Sequence, residues 1–201
     1  MPFYLGNHAQ RVFMNLGQML LVVGALAILS MLTLAINSSI LQAYIVSYDS
    51  EATIDAMSIG QSMLDEILVS HFDSLTCTTQ IVLVASACTP ASRLGPDIDS
   101  EKTFASSIVS YPDTAPFKSQ LKYNDIDDYT HYSRIVRSPH LGDFAVRDSV
   151  FYVQESNLDA YSGTQTWYKK ILVTVSHPKL FQPLKLQSLV VFRRYLGSGP
   201  G

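Results

Sequence analysis

Hydrophobic and polar residues divide this chain into a long uncharged stretch near the N-terminus and a patterned remainder. Gln18 to Ile36 reads QMLLVVGALAILSMLTLAI, and no ionised side chain occurs between Arg11 and Asp49. About 20 apolar residues at about 1.5 Å rise each span the roughly 30 Å hydrocarbon core of a bilayer, where a helix satisfies its own backbone hydrogen bonds. The pattern predicts a membrane-spanning helix over residues 18–37. A buried core helix of a soluble protein and a cleaved secretory signal are the alternatives.

The helical pattern continues beyond this stretch. Between Ser39 and Phe72 there is no proline and only one glycine, and apolar residues recur at spacings of mostly three to five. Such spacing is typical of one face of an amphipathic helix. We expect one helix of about 55 residues, whose second half, residues 38–75, has an apolar face that needs a partner surface. The residues of that face are Tyr44, Tyr48, Ala52, Met57, Gly60, Leu64, Ile67, Leu68 and His71.

The C-terminal third has the pattern of a β-sheet. Phe144–Gln154, Trp167–Ser176 and Gln187–Tyr195 are rich in β-branched and aromatic residues, and turn-forming residues separate them. Sequential strands with short connections predict an antiparallel sheet within residues 134–196. We therefore expect an α+β fold in which the long N-terminal helix packs on a C-terminal antiparallel β-sheet.

The remaining segments are predicted to have little regular structure. Residues 1–17 have no helical or strand period and resemble a leader peptide, and residues 197–201 resemble a flexible tail. Residues 76–133 are rich in Pro, Asp and Tyr and form a connecting region. Within that region we expect a strand at Ile81–Ala85 and a short helix near Phe104–Val109.

Charge and cysteine content narrow the function classes. The 201 residues include 14 Lys and Arg against 17 Asp and Glu, so no surface for nucleic acid is predicted. Arg11 is the only Lys or Arg before Arg93, which predicts a cytoplasmic N-terminus and an extracytoplasmic remainder. Cys77 and Cys88 could form a disulfide in that oxidising compartment, contributing about 3 kcal/mol. Two free buried thiols are the alternative.

An acidic segment is the one cluster of side chains suited to a cation. Asp125, Asp127 and Asp128 follow Asn124, and alternating carboxylates with backbone carbonyls are typical of a calcium site. The other interpretation is a loop in which these Asp side chains cap local backbone N–H groups. The sequence contains no nucleophile elbow, phosphate loop or H-x-x-x-H pair, so no enzyme activity and no other cofactor are expected.

Tyrosines are frequent in the second half of the chain. A ring with a polar tip suits the rim of an extracellular β-domain, and several such rings together could also recognise carbohydrate. We expect rim positions for Tyr123, Tyr129, Tyr132, Tyr152 and Tyr161.

Three features occur in a defined order along the chain. Gly17 directly precedes the apolar run, Tyr123–Tyr129 reads YNDIDDY, and Tyr168–Pro178 reads YKKILVTVSHP. The first is similar to the glycine of a prepilin peptidase site. The second resembles the F-D-D-[IV]-D-D-Y segment, and the third the late strand, of minor pilins of the mannose-sensitive haemagglutinin type. The chain thus resembles the type IV pilins.

The resemblance implies a structural subunit. Such proteins are cleaved by prepilin peptidase, here between Gly17 and Gln18. They are held in the inner membrane by one span and then enter a filament with copies of themselves or other pilin-like subunits. A single-span, membrane-anchored extracytoplasmic binding module that forms no filament is the alternative. The residues expected to pack in the filament core are Leu21, Val22, Gly24, Ala25, Ala27 and Leu29.

Two positions depart from the major pilins. Gln18 and Val22 stand where those proteins usually have Phe and Glu. In the family, that Glu carboxylate meets the N-terminal amine of a neighbouring subunit, and Val22 has no such group. The departure favours a minor or specialised subunit of a pilus-like filament or secretion pseudopilus.

Overall fold

The computed structural model of the 201-residue chain describes the backbone of residues 6–77 and 84–192. Side chains are described for residues 16–75 and 84–192. The chain divides into two compact units, Met1–Tyr48 and Asp49–Gly201, which are considered separately below.

Helix α1 extends from Gly6 to Val69 and contains 64 residues. It confirms the predicted long helix, but the expectation of an unstructured leader over residues 1–17 is wrong from Gly6 onward. Residues 7–16 contain neither Gly nor Pro, and a lone Gly17 costs a helix only about 1 kcal/mol. Nothing in the local sequence therefore stops the helix before the apolar run.

The C-terminal end of α1 comes at Val69, before the predicted end. Just beyond this point, backbone groups form hydrogen bonds with the acidic segment and no longer with the helix. The His71 N–H donates to the Asn124 carbonyl (3.4 Å), and the Ile126 N–H donates to the His71 carbonyl (2.9 Å). His71 thus lies beyond the helix, in a bridge with Asp125, rather than on its apolar face.

Within the described residues, three short α-helices and six strands follow α1. They are α2 Ser74–Cys77, α3 Asp99–Ser110, β1 Asp113–Thr114, α4 Ser119–Lys122, β2 Ser133–Ser138, β3 Gly142–Gln154, β4 Asn157–Tyr161, β5 Tyr168–Ser176 and β6 Leu184–Val191. The sheet has the order β1-β2-β3-β5-β6, and β4 pairs with β3 outside this path. The pairs among β2 to β6 are antiparallel, which confirms the antiparallel sheet predicted within residues 134–196. β1 precedes that range and adds a parallel pair with β2 at the edge of the sheet.

Most predicted elements have counterparts in these bounds. β3, β5 and β6 confirm the three predicted strands, and α3 confirms the helix near Phe104–Val109. Residues 81–83 of the predicted strand Ile81–Ala85 lie outside the described residues, and Ala85 begins a 3₁₀ turn, Ala85–Ala87. The tail 197–201 and the end of the predicted strand Gln187–Tyr195 also lie outside them.

One face of the sheet is covered by the part of α1 that follows Asp49. Added to Gly60, a Cβ would lie 2.5 Å from Leu186 Cδ1 and 3.2 Å from Val175 Cγ2, so this glycine permits close approach of helix and sheet. Only part of the predicted apolar face is buried, because four of its residues are exposed: Tyr44, Tyr48, Met57 and Leu68. The shared core contains Ala52, Ala56, Met63, Leu64 and Ile67 of α1, Phe144, Val146 and Val150 of β3, and Ile171, Val173 and Val175 of β5.

Four of the five tyrosines lie inside this domain, which overturns their expected rim positions. The rings of Tyr123, Tyr129 and Tyr132 contact one another edge to face, with centroids 5.0 to 5.6 Å apart. Tyr152 is fully buried and only Tyr161 is exposed. Burial is tolerated because hydroxyls find acceptors inside the domain; the Tyr152 hydroxyl, for example, donates to the Thr89 carbonyl at 2.9 Å.

Candidate functional site

The first part of α1 is an exposed apolar surface. From Leu16 to Tyr48 every residue is exposed, and the large apolar side chains there are 49% to 73% exposed. Among the described residues, α1 is the one helix long and apolar enough to cross a membrane. This surface has no charge between Arg11 and Asp49, so lipid or other apolar helices can contact it on every side.

The residues expected to act in processing and filament packing lie on this surface. Gly17 and Gln18 are within the continuous helix, not at its start. A Cβ added at Gly17 or Gly24 would meet nothing within 4 Å, so both positions are open to a neighbouring chain. The packing residues Leu21, Val22, Gly24, Ala25, Ala27 and Leu29 are all exposed.

The acidic segment is a buried turn held by its own carboxylates. Asp125 Oδ2 accepts the Ser74 N–H at 2.6 Å, while Oδ1 accepts the N–H groups of Asp127 (2.9 Å) and Asp128 (3.2 Å). Asp128 Oδ2 accepts the N–H groups of Asn124 (2.9 Å) and Asp125 (3.2 Å). The capping interpretation therefore describes these side chains, except that the turn is buried and not solvated.

Asp127 has a different partner, which sequence reasoning missed. Lys169 Nζ donates to Asp127 Oδ1 and to the Phe72 carbonyl, both at 2.6 Å, and lies 3.4 Å from Asp73 Oδ2. The Lys169 side chain is 0% exposed and its ammonium also lies over the Phe72 ring, 4.6 Å from the centroid. The sequence does contain a signal for its burial: in β5, Lys169 occupies the same alternating inward positions as the buried residues Ile171 and Val173.

Burial shifts the protonation of the acidic segment. Desolvation, with the nearby Asp128 charge, raises the pKa of Asp125 to about 6. Desolvation likewise raises the pKa of Asp128 to about 7, against the effect of its backbone hydrogen bonds. For Asp127 desolvation outweighs the opposing Lys169 charge and the pKa rises to about 7. Calcium at these three residues stays a prediction, and it would have to compete with the N–H groups and with Lys169.

A second carboxylate group shares only Asp128 with the predicted site. Oxygens of Asp97, Glu101 and Asp128 lie within 4.8 Å of one another, and among the described residues these three could hold a cation together. Glu101 already accepts the Ile98 N–H (3.0 Å) and the Asn124 side-chain amide (2.7 Å). These hydrogen bonds cap the start of α3 and tie it to the acidic segment.

A further buried network joins α1 to the sheet. Glu66 Oε1 accepts hydrogen bonds from Arg134 (2.7 Å), Ser119 (2.9 Å) and the Tyr129 hydroxyl (3.0 Å). Although burial raises the pKa of Glu66, the Arg134 charge and hydrogen bond, with Gln120 and Ser119, lower it further than burial raises it. Asp148 on β3 lies in the same interior, yet within the described residues neither of its carboxylate oxygens has a hydrogen-bond partner. Desolvation raises the pKa of Asp148 well above its usual value.

The predicted disulfide is not found. Cys88 is a free thiol, 2% exposed, while the side chain of Cys77 lies outside the described residues. Burial and the nearby Asp73 charge raise the pKa of Cys88 to about 11.

No family model matches the chain, and no curated protein or solved structure matches it significantly. The geometry of the described residues is therefore the basis for a function. The uncharged surface of the first part of α1 is open to other molecules, whereas the buried charges of the second unit, Asp148 excepted, have partners within that unit.

Proposed function

We propose that the chain is a structural subunit, minor or specialised, of a type IV pilus-like filament or secretion pseudopilus. It is stored in the inner membrane by the uncharged part of α1, with the second unit extracytoplasmic, and it assembles through the same helix. The observation that carries the proposal is this exposed, uncharged helical surface, which extends from Leu16 to Tyr48. An apolar surface on all sides suits lipid and a helical bundle equally.

The length of this surface favours assembly over simple anchoring. Between Arg11 and Asp49 the uncharged helix would measure roughly 55 Å, against roughly 30 Å of hydrocarbon and about 40–45 Å with headgroups. Side chains near its C-terminal end, such as Leu41, Ile45 and Val46, are 56% to 69% exposed. An anchor alone needs no exposed apolar side chains beyond the bilayer, so Leu41, Ile45 and Val46 support burial against other protein chains.

The second unit supports a structural role. Two of its buried carboxylates have partners inside the unit: Asp125 accepts backbone N–H groups, and Asp127 pairs with Lys169. Charges used in this way fix the fold of a domain that must survive transfer between environments. The order of Gly17, the YNDIDDY segment and the late strand adds the resemblance to minor pilins.

The first test is the N-terminus of the mature chain, determined by mass spectrometry in a host with active prepilin peptidase. We expect the wild-type chain to begin at Gln18 and the Gly17→Val variant to keep Met1. A wild-type chain that still begins at Met1 overturns processing as a pilin.

The second test separates this function from a single-span anchored binding module. Cells that express the chain are sheared, and the released surface fraction is compared with the membrane fraction. A filament subunit appears in the sheared fraction with the filament. Complete retention in the membrane fraction, with an intact filament in the sheared one, would establish the anchored module instead.

A further inference from the structure

The polar residues of the apolar helix lie on a single face. Between Met19 and Asn37 the polar side chains are Ser30, Thr33 and Asn37, and all other residues there are apolar or glycine. At about 100° per residue, these three fall within an arc of about 60°. Inside a membrane, polar side chains face protein partners in preference to lipid. This face is therefore the one that a partner helix would contact.

Asn37 differs from the other two in lacking a partner. The Ser30 hydroxyl donates to the Leu26 carbonyl and the Thr33 hydroxyl to the Leu29 carbonyl, both at 2.8 Å. Within the described part of the chain, the Asn37 side-chain amide makes no hydrogen bond. The predicted span ends at residue 37, and the hydrocarbon beside Asn37 offers an amide neither donor nor acceptor, so a protein partner on that side would satisfy the amide.

The same face has the spacing of a helix-pairing seam. Its residues are separated alternately by four and three positions, the repeat of two helices packed in a left-handed coiled coil. A single Asn in such a seam fixes the register and orientation of the two helices at some cost in stability. The seam consists of Met19, Val23, Leu26, Ser30, Thr33, Asn37, Ile40 and Tyr44.

We propose that a second copy of this chain occupies the seam, as a parallel dimer in the membrane in which the two Asn37 amides hydrogen bond to each other. Copies inserted with one topology are parallel and bring Asn37 to the same depth. An amide has both a donor and an acceptor, so two of them satisfy each other. No charge between Arg11 and Asp49 opposes the approach of the two helices.

This dimer rests on the membrane stage of the proposed function and adds the partner at that stage. Leu21 and Gly24 lie on the opposite side of the helix from Asn37 and stay open to contacts in a filament. Pairing therefore does not use the whole surface, and the helices of a dimer can still contact further subunits.

The test measures dimerisation of the full chain in phosphatidylcholine vesicles. The chain is labelled at its C-terminus with donor and acceptor dyes, and energy transfer is followed as the protein-to-lipid ratio changes. The variant is Asn37→Leu, which keeps the helix apolar and well formed. The matched control is Gln42→Leu, which removes an amide of the same kind from another side of the helix.

We expect the wild-type chain to dimerise and Asn37→Leu to raise the dissociation constant about threefold to tenfold, as loss of an interhelical hydrogen bond in a membrane does. Gln42→Leu should leave it unchanged. Equal effects of the two variants, or wild-type chains that enter the vesicles and stay monomeric, overturn the dimer. Neither result affects the sheared-fraction test, which decides filament assembly separately.

Discussion

Lys169 and Asp127 form an ion pair inside the second unit, with Nζ and Oδ1 2.6 Å apart and side chains 0% and 2% exposed. The same ammonium donates to the Phe72 carbonyl. The pair thus joins strand β5, the acidic segment and the chain that leaves α1. Removing one partner of a buried ion pair costs more stability than the intact pair contributes, because the remaining charge is left buried without compensation.

Lys169→Met is expected to lower the free energy of unfolding by about 3–5 kcal/mol at pH 8. The Asp127 carboxylate would then be buried without its cation. Chemical denaturation followed by the fluorescence of Trp167 measures the loss. Lys170→Met is the matched control, because Lys170 pairs with the largely exposed Asp159 and should contribute far less to stability. Equal losses in the two variants would contradict the importance of the buried pair.

Stability of the second unit is expected to fall as pH rises from about 4 to about 8. The folded-state pKa values of Asp125 (about 6), Asp127 (about 7) and Asp128 (about 7) are raised, so the folded chain holds protons that the unfolded chain has released. Glu66, whose pKa is lowered, opposes this trend. Thermal unfolding should give a higher midpoint at pH 5.5 than at pH 7.5; the reverse order would contradict these shifts.

Asp148→Asn is expected to stabilise the second unit at pH 7.5 by about 1–3 kcal/mol. The wild-type carboxylate is buried without a hydrogen bond among the described residues, so a neutral amide is less costly. The gain should shrink at pH 5.5, because burial already favours the protonated acid there. Asp143→Asn, at an exposed ion pair with Arg137, is the control and should change little at either pH. A loss of stability in Asp148→Asn at pH 7.5 would refute this account.

Asp125→Ala is expected to destabilise the second unit by at least about 2 kcal/mol, because three backbone N–H groups lose their acceptor. Asp159→Ala, at an exposed carboxylate, provides the comparison. Denaturant midpoints measure both. If Asp125→Ala proved no worse than Asp159→Ala, the turn would be held by other contacts.

Gly60→Leu is expected to destabilise the second unit by about 1–3 kcal/mol, despite the higher helix propensity of Leu. A side chain there would meet Leu186 and Val175 across the contact of α1 with the sheet. Gly24→Leu, where nothing lies within 4 Å, should leave the unfolding of this unit unchanged. Thermal unfolding of the two variants compares them directly, and equal midpoints would show that the sheet can move away.

Local patterns predicted the elements whose partners are near in sequence. The periodicity of α1 and the alternation in β3 and β5 each show a buried face without knowledge of what covers it. The bounds of α1 were less predictable, since its end depends on His71 pairing with Asn124 and Ile126 far along the chain. The two-residue β1 is a strand only because β2 lies beside it.

The partners of the buried charged residues were likewise not predictable from local sequence patterns. Lys169 stands at an inward position of β5, which the alternation with Ile171 makes visible. Its partner Asp127 is 42 residues away, and no spacing rule connects them. The sequence shows the acidic segment as a cluster of carboxylates, but the backbone N–H groups that Asp125 accepts are brought into place only by the fold.

The burial of Cys88 determines when its thiol can be oxidised relative to folding of the domain. Its thiol is 2% exposed and its raised pKa, about 11, leaves almost no thiolate at neutral pH, although the thiolate is the form that reacts with oxidants. Once the domain has closed, this sulfur is therefore kinetically protected. Any oxidation of Cys88 is thus expected before the domain has folded around it.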